Sequence, residues 1–536
     1  MEQENKEQQK FDILDMKQYR MEKLPKRERS KFEKFLVIIG APLAIIVFIY
    51  IQYIGDFSFL HHINANELSK SAREIFDRVG AEKFTSMNIS MLAIFAAALV
   101  LWMTEVIPNY QTSLILIIAL VLTGVLPEKE AYAQLGHKVM WLNIMSFILA
   151  SMLVATGVAK RFALWFIVKF GKNSSTIFIS FIVINIVLSA FISATTAKAA
   201  ILLPIFMVIA AVYGATGGEK KNNFGRSLVL QNLLDINMGA GMFVTGSGAN
   251  LIAAALIGGA IGTDIYFSDW MMAAFPVQLG IMFVGLILAN RVFFPIKKED
   301  RLPKIPGGMD RLKKELASMG KISLNEIKSL IIFGSILALW VTDRWHGISP
   351  TAVAFLGGII ALLPRIGVIK WNEVDIPWHL LLFSAGAYTL GAGFKATDLP
   401  SISVNHAFDA MGLGNGTPFW LLYLILTGGM LGSALVFQSK TMRTLIFIPI
   451  AIGIAHKFGF SIISLALPVA FLIEHVYVLP FNSKPAALLY VTNHYTMTDS
   501  FKFGIAMMGV AWIISILMSM TFYRWLGITP NGLGLF

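Results

Sequence analysis

The sequence predicts an all-α polytopic membrane protein with about 11 transmembrane helices and two re-entrant hairpins. Three observations carry that prediction. The 536 residues are 56% hydrophobic and only 14% charged, unlike a soluble domain. Apolar runs of the length that spans a bilayer core recur from Phe35 towards the C-terminus. Several of these runs are too long for one crossing and are interrupted by glycine or small hydroxyl residues.

The net charge of +12 is spread over short stretches between apolar segments, a distribution that fits membrane topology and gives no basic face for nucleic acid. Cysteine is absent, which removes disulfides, thiol nucleophiles and thiolate metal sites. Residues 1–34 are too long and too charged for the leading region of a signal peptide, and no small-residue cleavage site follows. They are expected to be a cytoplasmic tail ahead of a retained helix.

Taken in order, a first crossing over Phe35–Ile54 and an extracellular segment fill residues 35–87. Residues 88–296 then hold crossings at Asn88–Val106, Gln111–Leu126 and Asn143–Ala159, followed by the long run Thr176–Tyr213. That run is broken at Ser193-Ala194-Thr195-Thr196, which predicts a re-entrant hairpin whose tip lines a cavity. Phe224–Gly259 is interrupted by GAGMFVTGSGAN, a glycine density that marks an unwound helix, and Trp270–Ala289 closes the half. A charged connector over residues 297–328 contains RLKKELASMGKI, expected as an amphipathic cytoplasmic helix. Residues 329–536 repeat the order: Ser329–Val341, Thr351–Leu363, Trp378–Phe394, the interrupted runs Phe419–Ala455 and Ile462–Val491, and Gly504–Phe522.

The repetition reaches single residues. LVLWMTEVIP around Trp102 returns as LALWVTDRWHGISP around Trp340, Trp141 matches Trp378, SATTAKAAILLPI from Ser193 parallels SKTMRTLIFIPI from Ser439, and GSGAN parallels NSKPA. With each hairpin entering and leaving on one side, five crossings separate the two starts, so the repeats are inverted. A cytoplasmic N-terminus then puts Lys160, Arg161, Lys169, Lys172, Lys220, Lys221, Arg365, Lys370, Lys502 and the connector inside, as positive charge prefers. Lys70, Arg73, Arg78, Lys83, Lys395 and Lys457 fall outside in the same arrangement.

Paired hairpins and broken helices aim backbone N–H groups and positive dipole ends at a midplane anion site. Four segments qualify: the tips Ser193–Thr196 and Gln438–Thr441, and the loops Thr245–Asn250 and Phe481–Pro485. Their candidate ligands are Ser193, Thr195, Thr196, Ser247, Asn250, Ser439, Thr441, Asn482 and Ser483. Two half-sites of neutral donors suit a ligand with a carboxylate at each end. A lone membrane hydroxyl more often bonds its own helix, so the weight rests on the clustering at matched breaks.

WMTEVIP, the two Ser-x-Thr tips followed by LLPI or IPI, and GSGAN ahead of an apolar run resemble the divalent anion/sodium symporter family, in its dicarboxylate transporter and exchanger branch. The resemblance covers residues 88–522. It implies a homodimeric scaffold, an elevator-type transport part, tips that contact substrate carboxylates, and sodium held between tip and loop. Ser193, Thr195, Ser439 and Thr441 match the tip motif. Ala194 and Lys440 stand where the family has Asn, Lys484 stands at the first proline of the second loop pattern, and Ala486 stands at its Asn.

A lysine ammonium brings a fixed positive charge where sodium would need oxygen ligands. Lys440 and Lys484, with Lys198 and Arg443 deeper in the arms, are therefore read as fixed cations replacing sodium. Asp235, Glu474 and His475 lie in apolar runs as counter-charges or proton carriers, with pairing the preferred reading. Glu105 and Asp343 are read as structural caps. A membrane-embedded hydrolase would need a metal set or a nucleophile with its base; HExxH is absent, and GSG at Gly246 sits at a helix break. No cofactor or metal is expected. The function expected is sodium-independent exchange of C4/C5 dicarboxylates at the cell membrane, with sodium-coupled symport as the alternative.

Overall fold

The computed structural model describes residues 13–20, 31–61, 63–218, 221–410, 416–437 and 439–534. Lys220, Gln438 and most of the predicted tail lie outside them. The first half is built from α1 (Lys31–Ile49), α2 (Ala81–Thr104), α3 (Asn109–Leu122), α4 (Lys138–Ala155), α5 (Val158–Phe170), α6 (Ser174–Phe191), α7 (Thr195–Val212), α8 (Asn223–Gly241), α9 (Gly248–Ile261) and α10 (Phe267–Leu288). The connector holds α11 (Asp310–Ser318). The second half follows with α12 (Leu324–Val341), α13 (Pro350–Leu362), α14 (Trp378–Thr397), α15 (Leu399–Ala410), α16 (Phe419–Ser433), α17 (Lys440–Lys457), α18 (Ile462–Phe471), α19 (Lys484–Tyr490) and α20 (Met497–Met520). Among the described residues seven helical stretches are long and apolar enough to cross a membrane, and further apolar helices are shorter.

Helix starts follow local chemistry. Asn173 and Thr176 form a reciprocal capping box at α6, Ser323 and Glu326 form another at α12, and Ser349 caps α13 ahead of Pro350. The box at Ser323 starts α12 five residues before the expected Ser329, because a capped polar turn extends the helix beyond its apolar stretch. Among the helices not expected from the sequence, α5 and α15 each follow a left-handed residue, Gly157 and Asp398. Their mixed polarity hid them, since α5 carries Lys160, Arg161 and Lys169 among its aromatic residues.

Matched local structures recur in the two halves. The indole N–H of Trp102 donates to the carbonyl of Asn109 at 3.2 Å, and that of Trp340 donates to the carbonyl of Pro350 at 3.0 Å. Each acceptor is the first residue of the next helix, so each Trp ties a turn shut from inside. Asp343 is the expected cap: its carboxylate accepts from the Phe267 N–H at 2.7 Å and the Ser268 hydroxyl at 2.5 Å at the start of α10. Glu105 ends α2 in a left-handed conformation.

The breaks that the sequence marks are present. Ile192, Ser193 and Ala194 separate α6 from α7, and residues 434–437 and 439 lie between α16 and α17. Residues 242–247 separate α8 from α9, and residues 472–483 separate α18 from α19. Gly246 is required by close approach, since a Cβ there would lie 2.1 Å from the Ala240 carbonyl oxygen. Packing then crosses between halves: α9 lies on α17 and α18, while α19 lies on α7. Each broken helix therefore meets the other half's hairpin.

Candidate functional site

The second arm of each hairpin places a cation at its fourth residue. Lys198 and Arg443 are both fully buried. Lys198 Nζ donates to Ser189 Oγ at 2.7 Å, across the hairpin, and to the Ile236 carbonyl of α8 at 3.2 Å. Arg443 Nε donates to Ser433 Oγ at 2.8 Å, again across the hairpin. Its Nη1 donates to the carbonyls of Ile473 at 3.1 Å and His475 at 3.3 Å, and its Nη2 donates to the Met430 carbonyl. Both cations thus sit in nests of neutral oxygens, the ligand type a sodium ion requires, and staple hairpin to broken helix. The sequence pointed to the cations; the seats Ile236 and Ile473 carried no signal because a carbonyl acceptor is independent of residue type, and Ser189 and Ser433 are single hydroxyls within apolar runs.

Glu474 joins the halves. It is 1% exposed. Its carboxylate accepts from Ser247 Oγ at the start of α9 and from Lys440 Nζ at 2.7 Å at the start of α17. It also lies within electrostatic reach of Lys198 and Arg443. Buried Lys198 and Arg443 and half-buried Lys440 around one carboxylate leave a formal excess of two positive units. The pairing expected of Glu474 is therefore made, whereas Asp235 takes no lysine: its Oδ1 accepts from Gln231 Nε2 at 2.7 Å and its Oδ2 has no partner among the described residues. Gln231 lies one turn earlier on α8, and the Lys198 ammonium is spent on Ser189 Oγ and the Ile236 carbonyl. His475 shares a hydrogen bond with Tyr477 Oη at 2.8 Å through Nδ1, and its Nε2 has no partner among the described residues.

The tip and loop hydroxyls divide by what they already bond. Ser193 Oγ is buried without a partner among the described residues, beside buried Thr195 and half-buried Thr196. Ser439 Oγ accepts from the Met442 N–H at 3.4 Å as the cap of α17, ahead of half-buried Thr441. Ser247 and Ser483 cap α9 and α19 in nearly the same conformation, φ −157° and −156°. Ser483 Oγ donates to the Val476 carbonyl at 3.1 Å.

The two loop amides brace the breaks. Asn250 Nδ2 donates to the carbonyls of Ala240 at 3.0 Å and Phe243 at 3.1 Å, and its Oδ1 has no partner among the described residues. Asn482 Nδ2 donates to the Ala434 carbonyl at 2.6 Å while its Oδ1 accepts from the Leu479 N–H at 2.7 Å. Lys484 is not brought to the cluster; it is exposed at the first position of α19, within electrostatic reach of His379.

Residues 81–529 match the family described as "Sodium:sulfate symporter transmembrane region". The chain belongs to that family. Membership makes it a multi-pass membrane transporter and not an enzyme, and bears out the resemblance seen in the tip and loop motifs. A "Membrane protein" of Cupriavidus necator is 25% identical, over 83% of this chain and 89% of its own length. A "Sodium-dependent dicarboxylate transporter SdcS" of Staphylococcus saprophyticus is 27% identical, over 76% of this chain and 82% of its own. A "Putative malate transporter YflS" of Bacillus subtilis is 25% identical over 53% of this chain and 58% of its own.

Proposed function

We propose that the chain is a secondary active transporter of C4/C5 dicarboxylates such as succinate, malate, fumarate and 2-oxoglutarate, working as a sodium-independent antiporter. The names of the Staphylococcus saprophyticus and Bacillus subtilis relatives support the substrate class. The observation that carries the mechanism is the formal charge of two positive units left around Glu474 by Lys198, Lys440 and Arg443. Sodium ions leave a symporter with their substrate, so the empty carrier returns without a large buried charge. Side-chain cations cannot leave. An empty site would carry its surplus charge through the membrane at an effective cost of several kcal/mol per ion, and a bound dianion cancels it. Only the loaded carrier is then mobile.

In this reading Ser193, Thr195 and Thr196 at one tip and Ser439 and Thr441 at the other supply donors for the two carboxylates. Ser247 and Ser483, whose hydroxyls donate to Glu474 and the Val476 carbonyl, hold the loops together with Asn250 and Asn482. The two halves, residues 88–296 and 329–536, act as inverted repeats in a homodimer with the N-terminus cytoplasmic. The hairpins and broken helices move as an elevator against the part containing Trp102 and Trp340. Sodium-coupled symport is the second reading, favoured by the name of the SdcS relative.

Counterflow separates the two. Proteoliposomes preloaded with succinate should accumulate labelled succinate in sodium-free buffer, and empty ones should not. Sodium-dependent uptake into empty vesicles would overturn exchange and leave the symporter.

A further inference from the structure

We infer that Glu474 is a built-in third carboxylate that fits the site to dianions, filling one carboxylate seat and removing one positive charge. The inference rests on the dicarboxylate reading and goes beyond it by naming the residue that selects cargo charge. Ser247 and Lys440, the donors that Glu474 occupies, come from a loop of one half and a tip of the other, so its carboxylate lies where the two half-sites meet. The opposite tip offers Ser193 Oγ, buried and unpartnered among the described residues, as a donor still free for a ligand.

The halves differ at this point. Ile236 and Ile473 are the matched carbonyls that receive Lys198 and Arg443, and the residue after each is Asn237 and Glu474. Asn237 is neutral, donates to the Leu233 carbonyl of its own helix at 2.8 Å, and leaves its Oδ1 without a partner among the described residues. The carboxylate is therefore no requirement of the fold at this position. With Glu474 neutralised, the cluster of Lys198, Lys440 and Arg443 would lose its one opposing carboxylate and stand one positive unit above the parent. That added charge matches a tricarboxylate trianion.

The test is counterflow of succinate, citrate and succinamate, the last being a monoanion on the succinate skeleton, at a pH where citrate is fully ionised. In Glu474→Gln the citrate-to-succinate ratio of kcat/KM should rise at least about tenfold, as expected for one unit charge in a buried site. Lys440→Gln changes the cluster by one charge in the opposite direction and should raise the succinamate-to-succinate ratio by a similar factor. Glu474→Asp keeps the carboxylate and should keep the selectivity of the parent.

A folded, monodisperse Glu474→Gln protein whose citrate ratio stays within about twofold of the parent overturns the inference while leaving dicarboxylate transport intact. Should that variant fail to fold, the Lys440→Gln ratio decides, and an unchanged succinamate ratio overturns it equally. Absence of succinate counterflow in the parent would instead remove the dicarboxylate reading on which the inference stands.

Discussion

Ser193→Ala separates substrate binding from folding more cleanly than any other change at the tips. Ser193 is 8% exposed, lies in the link between α6 and α7, and its hydroxyl has no partner among the described residues. Removing it breaks no bond within the protein, so stability should change by no more than about 0.5 kcal/mol. A hydroxyl donating to a carboxylate contributes about 1.5 to 3 kcal/mol, which is roughly a 10- to 100-fold rise in KM. Ser439→Ala should behave differently, since Ser439 Oγ caps α17 and its loss costs the helix about 1 kcal/mol in addition to any binding effect. The assay pairs the KM for succinate counterflow with thermal melting in detergent. An unchanged KM in Ser193→Ala, or a melting loss as large as that of Ser439→Ala, would refute the assignment of this hydroxyl to the ligand.

Three further changes probe the frame. Arg443→Met strands the carbonyls of Ile473 and His475 and removes a donor from Ser433 Oγ and the Met430 carbonyl, which still bond each other, so at least about 3 kcal/mol should be lost in melting, with Arg443→Lys losing roughly half because Lys198 makes only two such bonds from the matching place. Gly246→Ala drives a methyl onto the Ala240 carbonyl oxygen, 2.1 Å from its Cβ, and should sharply reduce the yield of monodisperse protein on size exclusion. Asn482→Ala releases the Ala434 carbonyl and the Leu479 N–H and should lower melting by about 2 kcal/mol, read in the same detergent assay.

The fold was legible in the sequence where the signal is local. Apolar length places α2, α4, α7 and α10, and the hydroxyl and glycine breaks at Ser193 and Gly246 fall where helices end. Helices with polar faces were not legible, because α5 and α15 pack one side and leave charged residues on the other, which an apolar window reads as a loop. Boundaries moved outward wherever a cap lay beyond the apolar stretch, as Ser323 does for α12. At the site, residue types were legible and partners were not. Lys440 and Lys484 look alike in the sequence, yet one is held by a buried carboxylate and the other is exposed, and it is the packing of α18 on α17 that brings Glu474 to Lys440.

The alignment of the two tips shows why. Serine against serine pairs Ser193 with Ser439 and leaves Lys198 and Arg443 out of register by one residue. The helices pair differently: α7 starts at Thr195 and α17 at Lys440, Pro204 and Pro449 are each the tenth residue, and Lys198 and Arg443 are each the fourth. In that register Lys440 takes the place of Thr195 and Ser439 that of Ala194. The hydroxyl motif is thus not superimposed at the two tips, whereas the buried staples are. A cation fixed by neutral oxygens at each hairpin must be matched in depth, because its carbonyl seats come from a broken helix whose position the fold dictates. In the proposed function the tip hydroxyls face a ligand and can slide by one residue. The conserved element between the halves is consequently the pair of cations and their oxygen seats, and the differing element, Glu474 against Asn237, is where the two half-sites acquire unequal charge.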